Sequence, residues 1–187
     1  METLYKVLRS DGGCYHGGTG SWPLPKDEQP GEWMPEIEGE LIACERGYHV
    51  CRRADLPCWI GPAIWTVEIE SEPIIAADKL VVRRARLLRR TAWDVRAALL
   101  WAADCAEHVL PIFEVAMPGD DRPRRAIEAA RGTDPAAAAA AAEVPREAAA
   151  WAAAARKAAA WEAAAAAERE RERVWQTDRL RHYLGEG

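Results

Sequence analysis

Residues 101–131, WAADCAEHVLPIFEVAMPGDDRPRRAIEAAR, decide the fold of the second half of this chain. Within and just before this stretch, apolar residues recur at spacings of three, four and seven, which predicts one buried stripe on a helix: Val95, Leu99, Ala102, Ala106, Val109, Leu110 and Phe113. Thr91 and Asp94 have the spacing of a capping box, so the helix is predicted to start near Ala92. Pro111 cannot donate a backbone hydrogen bond, and we expect the helix to kink or restart there.

A turn and a second helix follow this first helix. Proline, glycine and aspartate in residues 117–121 each favour non-helical backbone, which predicts the turn. Asp121 is then the expected N-cap and Pro123 a first-turn proline of a helix that continues to Arg131. Two helices joined by so short a connection are predicted to form an antiparallel pair.

These motifs carry a family resemblance. DCAEHVLPIFE, then a turn, then DDRPRRAIEAAR resembles the immunity protein family found near bacterial polymorphic-toxin genes, over about residues 91–165. Members are helical and alanine-rich, with a cysteine-containing helix, a leucine-proline step and an RPR-x-AIE helix. The resemblance implies a binding protein whose partner is a toxin or a defence component. The polar residues expected to contact that partner are Glu107, Asp120, Asp121, Arg122, Arg124 and Arg125.

The first half of the chain is predicted to be mainly β. Alternating or short apolar runs predict strands at residues 3–8, 40–44, 48–51 and 63–70, and one long strand at 79–88. Residues 55–60 are a candidate for one helical turn. The expected fold class is therefore α+β, with a small β-rich domain at 1–90 and a helical domain at 91–187 that ends in a long alanine-rich helix.

This half has its own resemblance. LYKVL, CERGYHVC and IWTVEIE are similar to an uncharacterised domain of phage and actinobacterial proteins that has a Cys-x-x-Gly-aromatic-His-x-Cys motif. The matching positions are Cys44, Gly47, Tyr48, His49 and Cys51. The resemblance implies no activity, but with the layout of the chain it implies a protein of phage or mobile-element type.

Metal binding is one alternative for the same residues. Cys44, His49, Cys51 and Cys58 follow the spacing C-x4-H-x-C-x6-C, and thiolates with imidazole are ligands that zinc accepts. The C-x2-C knuckles of structural zinc sites are missing, and a strand places His49 and Cys51 on one face with or without metal. We therefore favour a packed core with a hydrogen-bonded histidine, and predict no metal or cofactor.

A small enzyme or nucleotide-binding protein is the main alternative function. In it Tyr48 and His49 would line a pocket with the arginines of residues 83–90, above all Arg83 and Arg86, because guanidinium forks suit phosphate oxygens. Residues 79–96 hold seven bases and one acid, whereas 26–46 hold seven acids and two bases. No phosphate-binding loop, dinucleotide fingerprint or metalloprotease motif occurs, and the net charge of -5 argues against a general nucleic-acid binder.

One pair on the first helix has two interpretations. Asp104 and His108 are one turn apart, so they are candidates for an acid–base or metal-binding pair. An exposed pair on a solvated helix face is the favoured interpretation.

Alanine dominates the end of the chain. Of residues 136–167, 22 are alanine, and Pro145 fits the first turn of a helix that we expect to span residues 146–183. Trp151, Trp161 and Trp175 would anchor it, and ERERER at 168–173 is expected to be solvated and self-paired. A helix of this length suggests self-association, or, as a further alternative, a structural role in a particle or filament.

The expected location is the cytoplasm. The N-terminus does not have the basic and apolar regions of a signal peptide, and no apolar run other than alanine has the length of a membrane span. Five cysteines in that compartment are expected to be free thiols rather than disulfides.

Overall fold

A computed structural model describes the backbone of residues 2–132 and 162–185, and the side chains of residues 2–132 and 167–185. It confirms the α+β class. Residues 1–94 together with 180–187 form one compact unit, and residues 95–179 form a second. The elements of the first unit are β1 (Leu4–Leu8), β2 (Tyr48–Arg52), a 3-10 helix (Arg53–Cys58), β3 (Ala63–Ile69), β4 (Ile74–Ile75), β5 (Leu80–Val82) and β6 (Ala85–Arg90). The described helices are α1 (Val95–Ala116), α2 (Arg122–Arg131) and α3 (Glu162–Leu184), whose residues from Leu180 onward belong to the first unit.

The first unit is built on a six-stranded antiparallel sheet in the order β4-β5-β2-β1-β3-β6. Strand β3 is buried on both faces, because Ala63, Trp65 and Val67 join the main core cluster while Ile64 and Thr66 are buried on the other side. The exposed edge of β6 is covered by the segment from Gly31, whose backbone nitrogen donates to Leu87 at 2.9 Å. Covering an edge in this way removes a row of backbone groups that would otherwise be open to pairing.

Two predicted strands differ from the structure. Residues 40–44 form no strand, because Ile42 and Arg46 bond to each other across a tight turn and Cys44 has a positive φ of 67°. The predicted strand at 79–88 is divided into β5 and β6. β5 pairs with β2, and β6 pairs with β3. Because β2 and β3 lie on opposite sides of β1, the chain crosses from one side of the sheet to the other at Arg83 and Arg84.

Helix α1 begins later than predicted. The Thr91 hydroxyl donates to the Ile64 carbonyl at 2.9 Å and accepts from the backbone nitrogen of Trp93, so it is not the N-cap of a helix starting at Ala92. The helix runs without a break through Pro111, so the predicted restart there was wrong. Val95 is 71% exposed and does not belong to the core, contrary to the prediction.

The second unit has its core where α1 and α2 meet. Its buried residues are Leu99, Ala103, Leu110, Ile127 and Ala130. Arg124 contacts Glu114, Arg131 contacts Glu107, and Arg96 donates to the carbonyls of residues 130–132, so later residues of α2 meet earlier residues of α1. The predicted antiparallel pair is confirmed.

The alanine-rich end is described only in part. Residues 162–184 are helical, as predicted, whereas Pro145, Trp151 and Trp161 lie outside the described residues. In the ERERER stretch Arg171 pairs with Glu168 at 2.6 Å. Among the described helices none is long and apolar enough to cross a membrane.

Candidate functional site

A polar cleft of about 400 Å³ lies in the second unit. Helix α1 contributes three residues from two successive turns, α2 contributes its last arginine, and α3 contributes the remaining wall. The lining residues are Asp104, Glu107, His108, Arg131, Trp175, Asp178 and Arg179.

Asp104 connects the three helices around this cleft. Its side chain is only 9% exposed, and its two oxygens accept from Arg131 at 2.9 Å and from Arg179 at 2.7 Å. The favoured prediction of an exposed pair with His108 was therefore wrong for Asp104. The face of α1 that a lone helix would turn to water is here covered by α3.

Arg131 also holds Glu107. Its two terminal nitrogens donate to the two oxygens of Glu107. This bidentate geometry makes arginine–carboxylate pairs strong. The Glu107 and Asp104 carboxylates raise the pKa of Arg131 above its usual range, and the hydrogen bonds from Arg131 lower the pKa of Glu107. Glu107, predicted to contact a partner, thus lines the cleft in an ionised state.

His108 closes the cleft against α3. Its ring stacks on Trp175 with centroids 4.0 Å apart and an interplanar angle of 7°, and its Nε2 lies 3.2 Å from a Glu172 oxygen. Trp175 therefore acts as the predicted anchor of the C-terminal helix. The arrangement positions an imidazole and a carboxylate side by side, with the indole excluding water from one face.

The predicted contact residues of the turn are brought together and paired with acids. We name residues 120–125 the arginine turn. Arg122 pairs with Asp120 at 2.6 Å, and Arg125 pairs with Asp121 at 3.3 Å. The side chains of Arg122 and Arg125 are 64% and 67% exposed, so each guanidinium stays accessible to another molecule.

Asp120 should titrate far below an ordinary aspartate. Hydrogen bonds from Arg122 lower its pKa from 3.8 to about 2. Because the folded pKa is depressed, this contact stabilises the protein above pH about 4 and is lost as the pH falls towards 2. We expect NMR titration of the carboxyl carbon to give a midpoint near 2, and Arg122→Gln to return it towards 3.8. Equal midpoints in the two proteins would contradict this pairing.

Sequence reasoning missed an exposed apolar surface at the end of α1. Ile112, Val115 and Met117 are 60%, 83% and 51% exposed, and Pro111 beside them is also exposed. We name these four residues the apolar ridge. The signal was present in the spacing, since positions 111, 112 and 115 share a face that the predicted buried stripe does not include.

The comparison with protein families locates a match on these helices. Residues 94–169 match the family described as Imm-5 like putative immunity protein. The Imm-5 like segment contains α1, α2, the arginine turn, the apolar ridge and the cleft residues up to Arg131. The comparisons found no curated protein and no solved structure similar to the chain.

The candidate residues of the β-rich half lie outside the Imm-5 like segment. Tyr48 donates from its hydroxyl to the Pro35 carbonyl at 2.7 Å, and His49 Nε2 accepts from the backbone nitrogen of Cys44 at 2.9 Å. Arg83 donates to the carbonyls of Ile37 and Gly39. These bonds hold loops against the sheet.

Arg86 has a different set of neighbours from Arg83. It pairs with Glu68 at 2.6 Å, and its guanidinium lies 4.6 Å from the centre of the Trp33 ring. Arg84 pairs with Glu70 and faces the same ring. The arginines are thus held by carboxylates of the sheet and by an indole of the segment that covers β6, contacts that a phosphate would have to displace.

The alternative zinc set is not assembled. Among the described residues no group of three or more histidine, cysteine, aspartate or glutamate side chains is arranged to hold a metal. Cys51 is buried, whereas Cys44 and Cys58 are exposed. His49 uses Nε2 for the backbone of Cys44, as the favoured interpretation of a hydrogen-bonded histidine expects.

The cysteines should differ strongly in reactivity. Burial raises the pKa of the Cys51 thiol to about 12, and burial also raises the pKa of Cys105. We expect iodoacetamide at pH about 8 to modify Cys44 and Cys58 at least about 100-fold faster than Cys51, because the thiolate is the nucleophile. Peptide mass spectrometry measures this, with urea-unfolded protein as the control. Equal rates at Cys51 and Cys58 in the folded protein would contradict it.

Proposed function

We propose that this chain is a non-enzymatic binding protein that neutralises a protein toxin of a bacterial competition or defence system. One observation carries the proposal, namely the match of residues 94–169 to the Imm-5 like family of immunity proteins. The proposed binding domain is the second unit, residues 95–179, which we name the helical unit and which contains this segment except for its first residue. Its proposed polar contacts are Glu107, Asp120, Asp121, Arg122, Arg124 and Arg125.

The electrostatics of the helical unit support binding rather than chemistry. Both oxygens of Asp104 accept from arginines, and both oxygens of Glu107 accept from Arg131, so these carboxylates are already engaged within the protein. The arginine turn, by contrast, presents exposed guanidiniums that can exchange an internal carboxylate for one on a partner at small cost, since exposed ion pairs contribute little. Arginine is also enriched at protein interfaces.

The proposed site of action is the cytoplasm, and the proposed source is a phage or mobile element. All five cysteines are free thiols, which is the usual state in a reducing compartment. In the cytoplasm this protein would bind a toxin that acts on intracellular targets.

Co-expression in a bacterial host tests the proposal. The products of the genes that flank this one are expressed singly from an inducible promoter, and those that arrest growth are co-expressed with the full chain. We expect one of them to be neutralised and to co-purify with the chain at a 1:1 ratio. Arg124→Glu should weaken protection, whereas Arg171→Glu, an exposed charge reversal on α3, should not. If no flanking product is both toxic and neutralised, the proposal is wrong.

A further inference from the structure

The end of α1 exposes more apolar surface than a solvated helix needs. Ile112 and Val115 are three residues apart, so their side chains lie on one face, with Pro111 on the same face and Met117 just beyond. Val115 is 83% exposed. Adjacent exposed apolar residues with a polar border mark interaction surfaces in soluble proteins.

The apolar ridge is continuous with the polar features of the helical unit. His108 of the cleft precedes Ile112 by one turn on the same face, and the arginine turn begins three residues after Met117. An apolar centre flanked by polar groups is the usual anatomy of a protein interface.

The charge that borders the ridge is unevenly accessible. The side chains of Arg122 and Arg124 are 64% and 55% exposed, while those of their partners Asp120 and Glu114 are 16% and 42% exposed. Arg125 and Asp121 are equally accessible, at 67% and 66%. A molecule approaching the ridge therefore meets more guanidinium than carboxylate, although the formal charges are balanced.

We infer that the apolar ridge is the central contact for the neutralised toxin, and that the toxin presents an apolar pocket bordered by carboxylates. This inference rests on the proposed function. Carboxylates on the partner match the accessible guanidiniums of the arginine turn, and an apolar pocket removes Ile112 and Val115 from water. A second copy of this chain fits less well, because it would bring one set of exposed arginines against another.

The ridge is tested with the toxin identified by co-expression. Ile112→Asp and Val115→Asp are each expected to weaken binding by at least about 30-fold in isothermal titration calorimetry, the size of an interface hot spot. Val174→Asp is the matched control, because Val174 is 61% exposed and lies on α3. The affinity of this variant for the toxin should stay within about twofold of the wild-type value. Circular dichroism of each variant verifies that the helices are retained.

The charge of the partner is tested by kinetics. Arg124→Glu is expected to slow association by about tenfold at low salt and to reduce its salt dependence, because rim charges act mainly on the association rate. Arg171→Glu is the control, because the Arg171 side chain is 72% exposed and pairs with Glu168 on its own helix. It should leave the association rate and its salt dependence unchanged.

The outcomes separate the two proposals. If the toxin is neutralised and Val115→Asp binds it as tightly as wild type, the ridge assignment is overturned and the proposed function stands. If Arg124→Glu speeds association, the acidic border of the partner is overturned. If light scattering shows a dimer that Val115→Asp dissociates, the ridge serves self-association and the assignment to a toxin fails. If no flanking product is neutralised, both proposals fall together.

Discussion

A Trp93→Ala variant is expected to have a free energy of unfolding about 4 kcal/mol below that of the wild-type protein. Trp93 is completely buried and is the largest of the fully buried side chains among the described residues. Its indole nitrogen donates to the Gly61 carbonyl at 2.9 Å. Alanine would leave a cavity and would remove the donor from that carbonyl, and both changes destabilise the folded state. Urea denaturation of the full chain, followed by circular dichroism, measures the loss.

Trp93→Phe separates the two causes. Phenylalanine fills most of the cavity but cannot donate to Gly61, so this variant should lose about 1–2 kcal/mol. If Trp93→Ala were no less stable than Trp93→Phe, the burial of this side chain would not be the source of the stability.

Asp104→Asn is expected to lower the free energy of unfolding by about 2–3 kcal/mol. The substitution keeps the shape of the side chain but leaves two guanidiniums, on Arg131 and Arg179, without the charge that they share. Breaking a fully buried ion pair costs about 3–5 kcal/mol. The effect is smaller here because Arg131 and Arg179 are 39% and 42% exposed and regain some hydration.

Asp121→Asn is the matched control for Asp104→Asn. Asp121 also pairs with an arginine, Arg125, but both side chains are about two-thirds exposed. Its loss should change stability by less than about 0.5 kcal/mol in the same denaturation experiment. A loss at Asp121 as large as that at Asp104 would show that burial is not what makes the Asp104 contacts matter.

Local patterns predicted where several strands and helices lie, whether their partners are near or far in the chain. The alternation of residues 63–70 matches β3, and the apolar spacing with a proline-containing turn matches the pair α1 and α2. The division between Val82 and Ala85 was not predictable from alternation, since both pieces have the pattern of a strand. What divides them is a change of neighbour from β2 to β3, a long-range choice that a local pattern does not contain.

In the candidate site, too, local patterns were informative and long-range contacts were not predicted. The arginine turn was proposed from its residue types, and in the structure its arginines pair with neighbouring acids, which the sequence analysis did not predict. Asp104 was expected in water because a single helix turns its polar face outward. Arg179, 75 residues away, buries that face instead. The apolar ridge was not predicted, because the predicted stripe is the face that α2 covers and Ile112 and Val115 lie on another face of α1.

The compact unit that contains β1 to β6 also contains residues 180–187. Leu180 and Leu184 are buried, and the Ala92 nitrogen lies 3.4 Å from the Leu184 carbonyl. On the ribosome, all six strands emerge before the residues that complete their unit, because 85 and more residues separate the two parts. The unit therefore finishes folding only after residues 180–187 have been translated. A chain that stops before Leu180 would lack two buried side chains of the first unit, so that unit is completed long after its strands have been made.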